Sequence, residues 1–396
     1  MKRVLIYYKV FHSWVGGARF LPLLFIAELQ KTCEVTLALD VMSDVEHGAK
    51  LAGIPIDPSR LKLVQVMPTN KFLRKLDASI PFYRVRQLKK LAKEADACIS
   101  TVNMIDFGRP AHHFIHLLKL FGDNAFMDYY SHTPPKKGFA LFKRNFRTFV
   151  AETILRPMLG VRSTRKIIAD PKEHIYPTSK YVDGLIRDFY GPFTGTVFYP
   201  PTAFEFKMEN VGRVPLQVNY IGRISVEKRI EEIISIVEQA RKLSGLDFTL
   251  RIAGNMENSP YAERLKQTAK ERPWVQFVGQ VIGEDKERFL LSGFCAIHAE
   301  RDETFGIAIT EYLKAGCIPI VPDEGGTVEI VDEPELTYHT NEEAARILVR
   351  LHQDKAFYEK QLAHCKERSK AFSMQAYLEN QHKVLSAILA ESDAKK

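Results

Sequence analysis

Two kinds of hydrophobic pattern alternate along the chain. Short, mostly apolar runs are typical of strands in a parallel sheet, and longer runs with apolar residues every three to four positions are typical of amphipathic helices. The alternation predicts an α/β protein. The predicted strands are residues 4–8, 34–39, 61–66, 97–100, 125–130, 166–169, 217–221, 249–253, 275–278, 295–298 and 317–321, and the predicted helices include 20–29, 228–242, 261–270, 310–315 and 375–389.

The 396-residue length suits two such α/β domains. Tyr199-Pro200-Pro201 and the residues up to about Pro215 mark the boundary between them. We therefore predict an N-terminal domain over residues 1–205, a C-terminal domain over 206–374, and a terminal helix with a charged tail over 375–396.

Composition narrows the class of protein. A chain with 45% hydrophobic and 26% charged residues is predicted to be soluble and globular, and no apolar run approaches the roughly 20 residues of a membrane span. The five cysteines have no metal-like spacing, which predicts reduced thiols in a cytoplasmic protein. The formal net charge of +8 indicates an anionic partner: nucleic acid, an acidic lipid surface or a phosphorylated ligand.

A glycine pair follows the first predicted strand. Gly16 and Gly17 precede the apolar run 20–29, where residues without side chains let backbone N–H groups approach a phosphate. A tight turn after a strand explains the same pair. The sequence has neither the G-x-G-x-x-G dinucleotide pattern nor a Gly-Lys dipeptide, which excludes a P-loop.

A second candidate site lies at residues 219–229. A strand ends at Gly222, and Arg223 and Lys228 flank a helix start that Ser225 is predicted to cap. Two cations beside a helix N-terminus can clamp a diphosphate. The alternative is a solvated basic face, in which Glu227, Glu231 and Glu232 pair with these cations.

A third candidate is a pair of glutamates, Glu303 and Glu311, separated by seven residues. If a helix begins near Phe305, Glu303 lies in the preceding loop and Glu311 lies about two turns inside. A ligand over this N-terminus would meet both carboxylates, which can each accept two hydrogen bonds from neighbouring sugar hydroxyls. The alternative is a capped helix with exposed acids.

Together these segments resemble the family-4 retaining glycosyltransferases of glycosyl transferases group 1. The family pattern E-x7-E with an internal F-G matches Glu303 to Glu311, and G-R-x-x-x-x-K matches Gly222, Arg223 and Lys228. Further matches in the family's order are Tyr199-Pro200-Pro201, residues 176–182, Ala253-Gly254, residues 277–281, residues 314–319 and Gly325-Gly326-Thr327. The resemblance covers nearly the whole chain. It implies the α/β fold called GT-B: two Rossmann-like domains facing across a cleft, with the C-terminal helix crossing back to the N-terminal domain.

The resemblance also implies the roles of single residues. Arg223 and Lys228 would neutralise the donor diphosphate as it leaves, and Glu303 would hold the donor sugar's hydroxyls. The remaining donor-binding residues would be Phe305, Gly306 and Ile307 through their N–H groups, Glu311 at the ribose, Gln280 and Val281 at the base, and Gly16 and Gly17 from the N-terminal domain. The leaving phosphate would deprotonate the acceptor on the same face, so that the sugar keeps its anomeric configuration.

A histidine completes the implied catalytic set of His132, Glu303, Arg223 and Lys228. Residues 130–135 resemble the H-T-P segment of mannosyltransferases in this group, which would place His132 near the sugar's 6-hydroxyl. The relatives continue with P-x-R and an aromatic pair, whereas this chain continues Lys136-Lys137-Gly138-Phe139. The donor is therefore left open between GDP and UDP sugars, and between mannose and a glucose-type hexose.

We expect neither a metal nor another cofactor. The sequence contains no D-x-D triplet, so the metal-bound diphosphate of the other major transferase fold has no support, and Arg223 and Lys228 would supply the charge instead. His112, His113 and His116 have metal-like spacing but no carboxylate in E-x-x-H register, and are predicted to be structural or surface histidines.

Two basic and aromatic stretches lie in the first half of the chain. The first contains Lys71, Arg74, Lys75, Arg84, Arg86, Lys89, Lys90 and Lys93 with Phe72, Phe82 and Tyr83, and the second contains Lys136, Lys137, Lys143, Arg144 and Arg147 with Phe139, Phe142 and Phe146. Such stretches can lie on an anionic bilayer, which suits a lipid-linked acceptor and a peripheral position on the cytoplasmic membrane face. Solvated helix faces with core aromatics are the alternative. Nucleic acid is not expected as a partner, because no recognised motif accompanies the charge.

The sequence thus predicts a retaining, metal-independent hexosyltransferase that uses a GDP or UDP sugar and a glycan or lipid-linked acceptor. Two alternatives remain open. One is a GT-B phosphorylase, for which the chain is short. The other is a catalytically silent scaffold subunit of a polysaccharide or glycolipid assembly complex.

Overall fold

A computed structural model describes residues 1–9, 20–79, 81–116, 126, 146, 149–202, 206–208 and 211–393. The chain divides into two compact units. One comprises Met1–Pro201 with Tyr377–Lys396, and the other comprises Thr202–Ala376.

The first unit is built on a six-stranded parallel sheet. Its order is β3-β2-β1-β4-β5-β6, and the strands are β1 Lys2–Tyr8, β2 Cys33–Leu39, β3 Leu61–Gln65, β4 Ala97–Ser100, β5 His112–Ile115 and β6 His174–Pro177. Because helices cover both faces of such a sheet, its central strands are largely apolar, and Ile6 and Leu37 are fully buried. The helices are α1 Phe20–Leu29, α2 Val45–Leu51, α3 Lys71–Ser79, α4 Phe82–Ala92, α5 Arg156–Met158, α6 Thr164–Ile168 and α7 Lys180–Tyr190, with a π-helix at Val150–Leu155.

The second unit repeats this architecture. Its parallel sheet has the order β12-β11-β10-β7-β8-β9, and the strands are β7 Gln217–Ile221, β8 Thr249–Ala253, β9 Val275–Gly279, β10 Cys295–Ile297, β11 Ile318–Pro322 and β12 Thr337–Tyr338. The helices are α8 Ile230–Ser244, α9 Pro260–Lys270, α10 Gly283–Ser292, α11 Ile307–Ala315, α12 Thr327–Val331, α13 Asn341–Gln353 and α14 Lys355–Ser369.

The last helix, α15 (Met374–Asp393), returns to the first unit. The buried side chain of Gln381 donates to the carbonyl of Leu24 in α1 at 3.0 Å. The side chain of Lys2 in β1 pairs with Asp393 at 2.7 Å. The predicted return of the C-terminal helix to the N-terminal domain is therefore confirmed.

In the first unit, one strand prediction is wrong, one falls almost wholly outside the described residues, and two observed strands were not predicted. Residues 166–168 belong to α6 and Ala169 is its C-cap, because Ser163 accepts from the N–H of Lys166 and begins a helix there. The predicted strand 125–130 lies outside the described residues except for Phe126, which is helical. The strands β5 and β6 were not predicted, because histidines within β5 interrupt its apolar pattern.

Of the three histidines of that region, His112 and His113 are buried and His116 is half-buried. His113 lies 2.9 Å from Glu173, and His112 stacks on His174 with ring centroids 4.8 Å apart. Burial lowers the pKa of His116 to about 4, so this side chain is neutral at physiological pH. All five cysteines are free and buried. Across the part of the chain that the structure describes, no helix combines the length and apolar character needed to cross a membrane.

Candidate active site

The strand order of the second sheet reverses between β7 and β10. These strands are neighbours, and the chain moves outward from β7 through β8 to β9 on one side and from β10 through β11 to β12 on the other. Ligands of open parallel sheets bind at such a switch point, beyond the carboxyl ends of the strands. Arg223 and Lys228 follow β7, and Glu303 follows β10, so the topology brings the second and third candidate segments to one place.

Lys228 occupies the centre of this edge. It ends the 3₁₀ turn Val226–Lys228, and its ammonium pairs with Glu303 at 2.5 Å and with Glu300. The three side chains are between 12% and 19% exposed. Burial acts against the charged form of Lys228, but the two carboxylates outweigh it and raise the pKa of the ammonium. Lys228 is therefore a cation held at the strand ends by two acids.

The two carboxyl groups respond to Lys228 in opposite ways. Burial and the neighbouring charge of Glu303 raise the pKa of Glu300 to about 7. Burial also acts to raise the pKa of Glu303, but Lys228 and then His298 lower it well below its usual value. Glu303 is thus the permanently ionised partner.

Arg223 differs from Lys228 in being open to solvent. Its side chain is 70% exposed and lies 3.4 Å from Glu227. The hydroxyl of Tyr220 donates to the carbonyl of Arg223 at 3.0 Å and so shapes the turn after β7. The turn borders a cavity of about 410 Å³, to which Arg223 and Glu227 contribute. The alternative pairing with nearby glutamates therefore holds for Arg223 but not for Lys228.

The predicted cap by Ser225 is wrong. Ser225 precedes the 3₁₀ turn, makes no cap hydrogen bond, and has a buried hydroxyl without a partner among the described residues. The helix α8 begins only at Ile230, after Arg229 adopts a left-handed conformation. A turn with a left-handed residue, which sequence pattern does not indicate, separates the cation from the helix.

The loop after β10 leads into the N-terminus of α11. Gly306 has φ +96°, and a side chain there would come within 2.9 Å of Thr327, so the position favours glycine. The N–H of Gly326 donates to the carbonyl of Glu303 at 2.7 Å and fixes the loop from the other side. Phe305 is buried and anchors the loop in the core. Because a helix leaves its first N–H groups without intrahelical partners, this end can accept an anion.

Glu311 lies inside α11. The helix begins at Ile307 instead of near Phe305, so Glu311 lies about one turn from the N-terminus, not two. Its carboxylate is buried and pairs with Lys286 of α10 at 2.6 Å. The next residue, Tyr312, accepts the N–H of Ile221 through its hydroxyl at 2.6 Å, which ties α11 to the end of β7.

The other predicted site residues lie apart from this cluster or outside the described residues. Gln280 is exposed and Val281 is half-buried; both follow β9 at the same edge of the sheet. Gly16, Gly17 and His132 lie outside the described residues, so their roles stay predictions.

Three potential metal ligands lie close together at the site. Ligand atoms of His298, Glu300 and Glu303 are within 4.8 Å of one another, the one such group within the described residues. Burial lowers the pKa of His298 to about 4. The ammonium of Lys228 already bonds to both carboxylates, so it supplies the cation of this group. The three residues therefore surround the ammonium of Lys228.

Sequence reasoning missed four residues of the site: His298, Glu300, Lys286 and Tyr312. The first two had a signal, because polar residues that directly follow a buried strand lie at the functional edge of a parallel sheet. Lys286 and Tyr312 had none, because their contacts depend on how two helices pack.

A known family model matches most of the second unit. The model of the family described as Glycosyl transferases group 1 matches residues 204–372, which hold all the described site residues. The predicted family resemblance and enzyme class, a glycosyltransferase, are confirmed at this level. No curated protein matches the sequence.

Solved structures match over the whole chain. The structure of Anabaena Alr3699/HepE in complex with UDP and glucose has a TM-score of 0.64 at 14% identity, covering 99% of this chain and 100% of that one. Sucrose-phosphate synthase from Thermosynechococcus elongatus gives 0.68 at 14% identity, with coverage of 99% and 100%. WaaG, a glycosyltransferase involved in lipopolysaccharide biosynthesis, gives 0.65 at 12% identity, with coverage of 96% and 99%. These likenesses confirm the predicted two-domain α/β GT-B fold.

Proposed function

We propose, from the premise that residues 204–372 belong to the glycosyl transferases group 1, that this protein is a retaining hexosyltransferase. It transfers a mannose or glucose-type unit from a nucleoside diphosphate sugar to a glycan or lipid-linked acceptor. The observation that carries the proposal is the pairing of Lys228 with Glu303 beside the N-terminus of α11. That cluster lies where a parallel sheet binds its ligand.

The cluster contains cationic groups that can bind the donor's diphosphate and carboxylates that can bind its sugar and ribose hydroxyls. The ammonium of Lys228, the exposed guanidinium of Arg223 and the N-terminus of α11 offer positive potential for a diphosphate. Glu303, kept ionised, can accept hydrogen bonds from donor-sugar hydroxyls. Glu311 is buried one turn along α11 and pairs with Lys286. It is proposed to release Lys286 and to bind the ribose hydroxyls instead.

The proposed reaction breaks the bond between the sugar's anomeric carbon and the diphosphate oxygen. The acceptor hydroxyl forms the new bond on the same face, and its proton passes to the departing phosphate oxygen. Negative charge grows on the diphosphate in the transition state, so preorganised cations there lower the barrier. His132 is proposed to contact the sugar's 6-hydroxyl, and Gly16 and Gly17 are proposed to line the phosphates and acceptor.

The donor is proposed to carry UDP or GDP. The solved structure of HepE contains UDP and glucose, which makes UDP the first probe. The resemblance of the segment around His132 to mannosyltransferases keeps GDP as the second. Gln280 and Val281, at the carboxyl end of β9, are proposed to contact the base.

The donor site is proposed to work without a metal ion, because Lys228 supplies a cation within reach of the diphosphate. Turnover should persist in EDTA. Loss of activity in EDTA with recovery on addition of Mn²⁺ would contradict this part of the proposal.

A basic and apolar surface of the first unit supports a lipid-linked acceptor. On α3, the side chains of Phe72 and Leu73 are 69% and 47% exposed. Beside α4, a groove of about 820 Å³ is lined by Arg86, Lys90 and Lys93 with Phe82. Exposed aromatic residues among cations are typical of proteins that lie on anionic bilayers. The second predicted stretch, residues 136–147, lies outside the described residues except for the exposed Phe146.

We propose that this surface holds the protein on an anionic membrane face in the cytoplasm. The wild type should cosediment with vesicles that contain phosphatidylserine, and the pair of changes Phe72→Ser and Leu73→Ser should reduce binding. Leu243→Ser removes an exposed leucine of the second unit and serves as the control. Equal binding by all three proteins, or no binding by the wild type at physiological salt, would contradict the membrane proposal.

The first experiment on the function is a thermal-shift screen of UDP, GDP, ADP and their sugar conjugates without metal. A ligand at about 100 times its dissociation constant stabilises the folded state by about 2.7 kcal/mol. One clearly stabilising nucleotide identifies the base. No shift with any nucleotide would sink the proposed transfer reaction and favour the scaffold alternative.

A further inference from the structure

The acids around Lys228 leave an excess of negative charge at the proposed phosphate site. One ammonium faces two carboxyl groups, of which Glu303 is the proposed sugar-binding partner. Glu300 has no counterpart among the donor-binding residues that the sequence predicts. A diphosphate that approaches Lys228 must therefore compete with Glu300 for the same cation.

The groups that face Glu300 come from three elements. Lys228 ends the 3₁₀ turn, Tyr220 belongs to β7, and His298 and Glu303 belong to the loop after β10. His298 is neutral near pH 7 because burial lowers its pKa to about 4, while burial raises the pKa of Tyr220. Glu303 and Lys228 stay charged. Glu300, with its pKa raised to about 7, is therefore the member of this group whose charge changes near neutral pH.

We propose that Glu300 is a positioning residue of the donor site, which holds the ammonium of Lys228 while the site is empty and yields it to the donor's diphosphate. Glu300 takes up a proton from solvent as the diphosphate replaces it, so the charge of the site stays nearly balanced. Glu303 remains ionised throughout and keeps its place beside Lys228. The inference rests on the proposed function, because it takes the diphosphate site at Lys228 as given.

The proposal predicts a specific pH dependence. Above pH 7 the wild type must protonate Glu300 to release Lys228, so affinity for a diphosphate should fall as the pH rises. Glu300→Gln keeps the shape of the side chain and removes the titration. At pH 8.5 this variant should bind UDP or GDP about tenfold more tightly than the wild type, because a carboxylate near the phosphates is absent. At pH 6 the two proteins should differ by no more than about twofold.

Isothermal titration calorimetry with UDP and GDP tests these values at both pH values. Glu342→Gln removes an exposed carboxylate from α13 of the same domain and controls for total charge. It should bind as the wild type does. With the sugar nucleotide found by thermal shift, Glu300→Gln should lower KM above pH 7 and leave kcat within about threefold, whereas Glu303→Gln should lose turnover.

A second measurement needs no variant. Titrations of the wild type at pH 8 in two buffers of different ionisation enthalpy should show uptake of up to one proton per bound nucleotide. The proposal is overturned if Glu300→Gln binds no more tightly than the wild type at pH 8.5, or if the wild type takes up no proton. If the wild type binds neither UDP nor GDP, the proposed function fails first and this inference fails with it.

Discussion

In each domain, a cation between two carboxyl groups lies near the central strands of the sheet, and these two clusters are built differently. In the first unit, Arg84 of α4 pairs with Asp40 at 3.1 Å and with Asp77 at 3.3 Å. In the second unit, Lys228 pairs with Glu303 and Glu300. Both clusters lie near the carboxyl ends of the strands that form the centre of a sheet.

Hydrogen bonds within the fold use four of the five N–H donors of Arg84. Its guanidinium also donates to the hydroxyl of Tyr7 at 3.1 Å and to the carbonyl of Asp77 at 3.2 Å. Asp77 in turn accepts the N–H groups of Tyr83 and Arg84, so the cluster joins α4 to the preceding helix and to the strand ends. Lys228, by contrast, presents a single ammonium on a short turn at the ligand edge. A cation whose donors are nearly all bonded within the fold stabilises that fold, whereas a cation at an edge with two acids can exchange a partner for a ligand.

The largest predicted effect tests the second cluster. Lys228→Ala should lower kcat about 1,000-fold, because about 4 kcal/mol of transition-state stabilisation at the diphosphate is lost. The measurement is release of nucleoside diphosphate from the sugar nucleotide that stabilises the protein. The variant should also be less stable, because Glu303 and Glu300 lose their buried cation, so the assay is run well below the thermal transition of the variant.

A matched lysine controls for the loss of positive charge. Lys242→Ala removes an ammonium that is 74% exposed on α8, and its activity should equal that of the wild type. Activity of Lys228→Ala within tenfold of the wild type would show that the edge cation does not bind the leaving group.

The next effect tests the first cluster. Arg84→Met leaves two buried carboxyl groups without their cation, which should lower the free energy of unfolding by about 3 to 5 kcal/mol. Urea unfolding followed by circular dichroism measures it. Arg86→Met, on an exposed position of the same helix, should stay within about 0.5 kcal/mol of the wild type. A stable Arg84→Met protein without activity would reverse the assignment and make this cluster part of the active site.

A smaller effect distinguishes the two clusters by pH. The pKa of Glu300 is raised above its usual value, so Glu300 stabilises the fold most at low pH, and this contribution is lost as the pH rises towards 7. The Glu300→Gln variant does not lose stability in this way, because its side chain does not titrate. The melting temperature of the variant minus that of the wild type should therefore increase by about 3 °C between pH 5 and pH 8. A difference that stays constant or falls would mean that Glu300 is ionised throughout.

These contrasts also show how far the sequence could lead. The strands β7, β8 and β9 and the residues Arg223, Lys228 and Glu303 follow from local pattern, because a buried strand followed by a polar loop has a distinct signature. The local pattern does not predict which side chains pair with each other. Glu300 and Glu303 are three residues apart, yet they bind an ammonium 72 and 75 residues away, and only the order of β7 and β10 in the sheet brings them together.

The smallest predicted effect concerns a hydroxyl beside the site. Ser225 makes no cap hydrogen bond, whereas Ser259 accepts the N–H of Ala262 at 3.2 Å at the start of α9 in the same domain. Ser259→Ala should therefore cost about 1 kcal/mol of unfolding free energy, and Ser225→Ala less than about 0.5 kcal/mol. Urea unfolding of the two variants measures the contrast.

The result for Ser225 also shows whether its hydroxyl has a structural role or binds a ligand at the carboxyl ends of the strands. Equal losses for the two serines would mean that Ser225 does cap the turn, and that the sequence prediction was right. Unchanged stability with a raised KM for the donor would instead assign the buried hydroxyl to the ligand. Polar groups that bond within the fold, such as Ser259, would then be structural. Polar groups at the switch point that have no such bond, such as Ser225, would be the ones that bind the substrate.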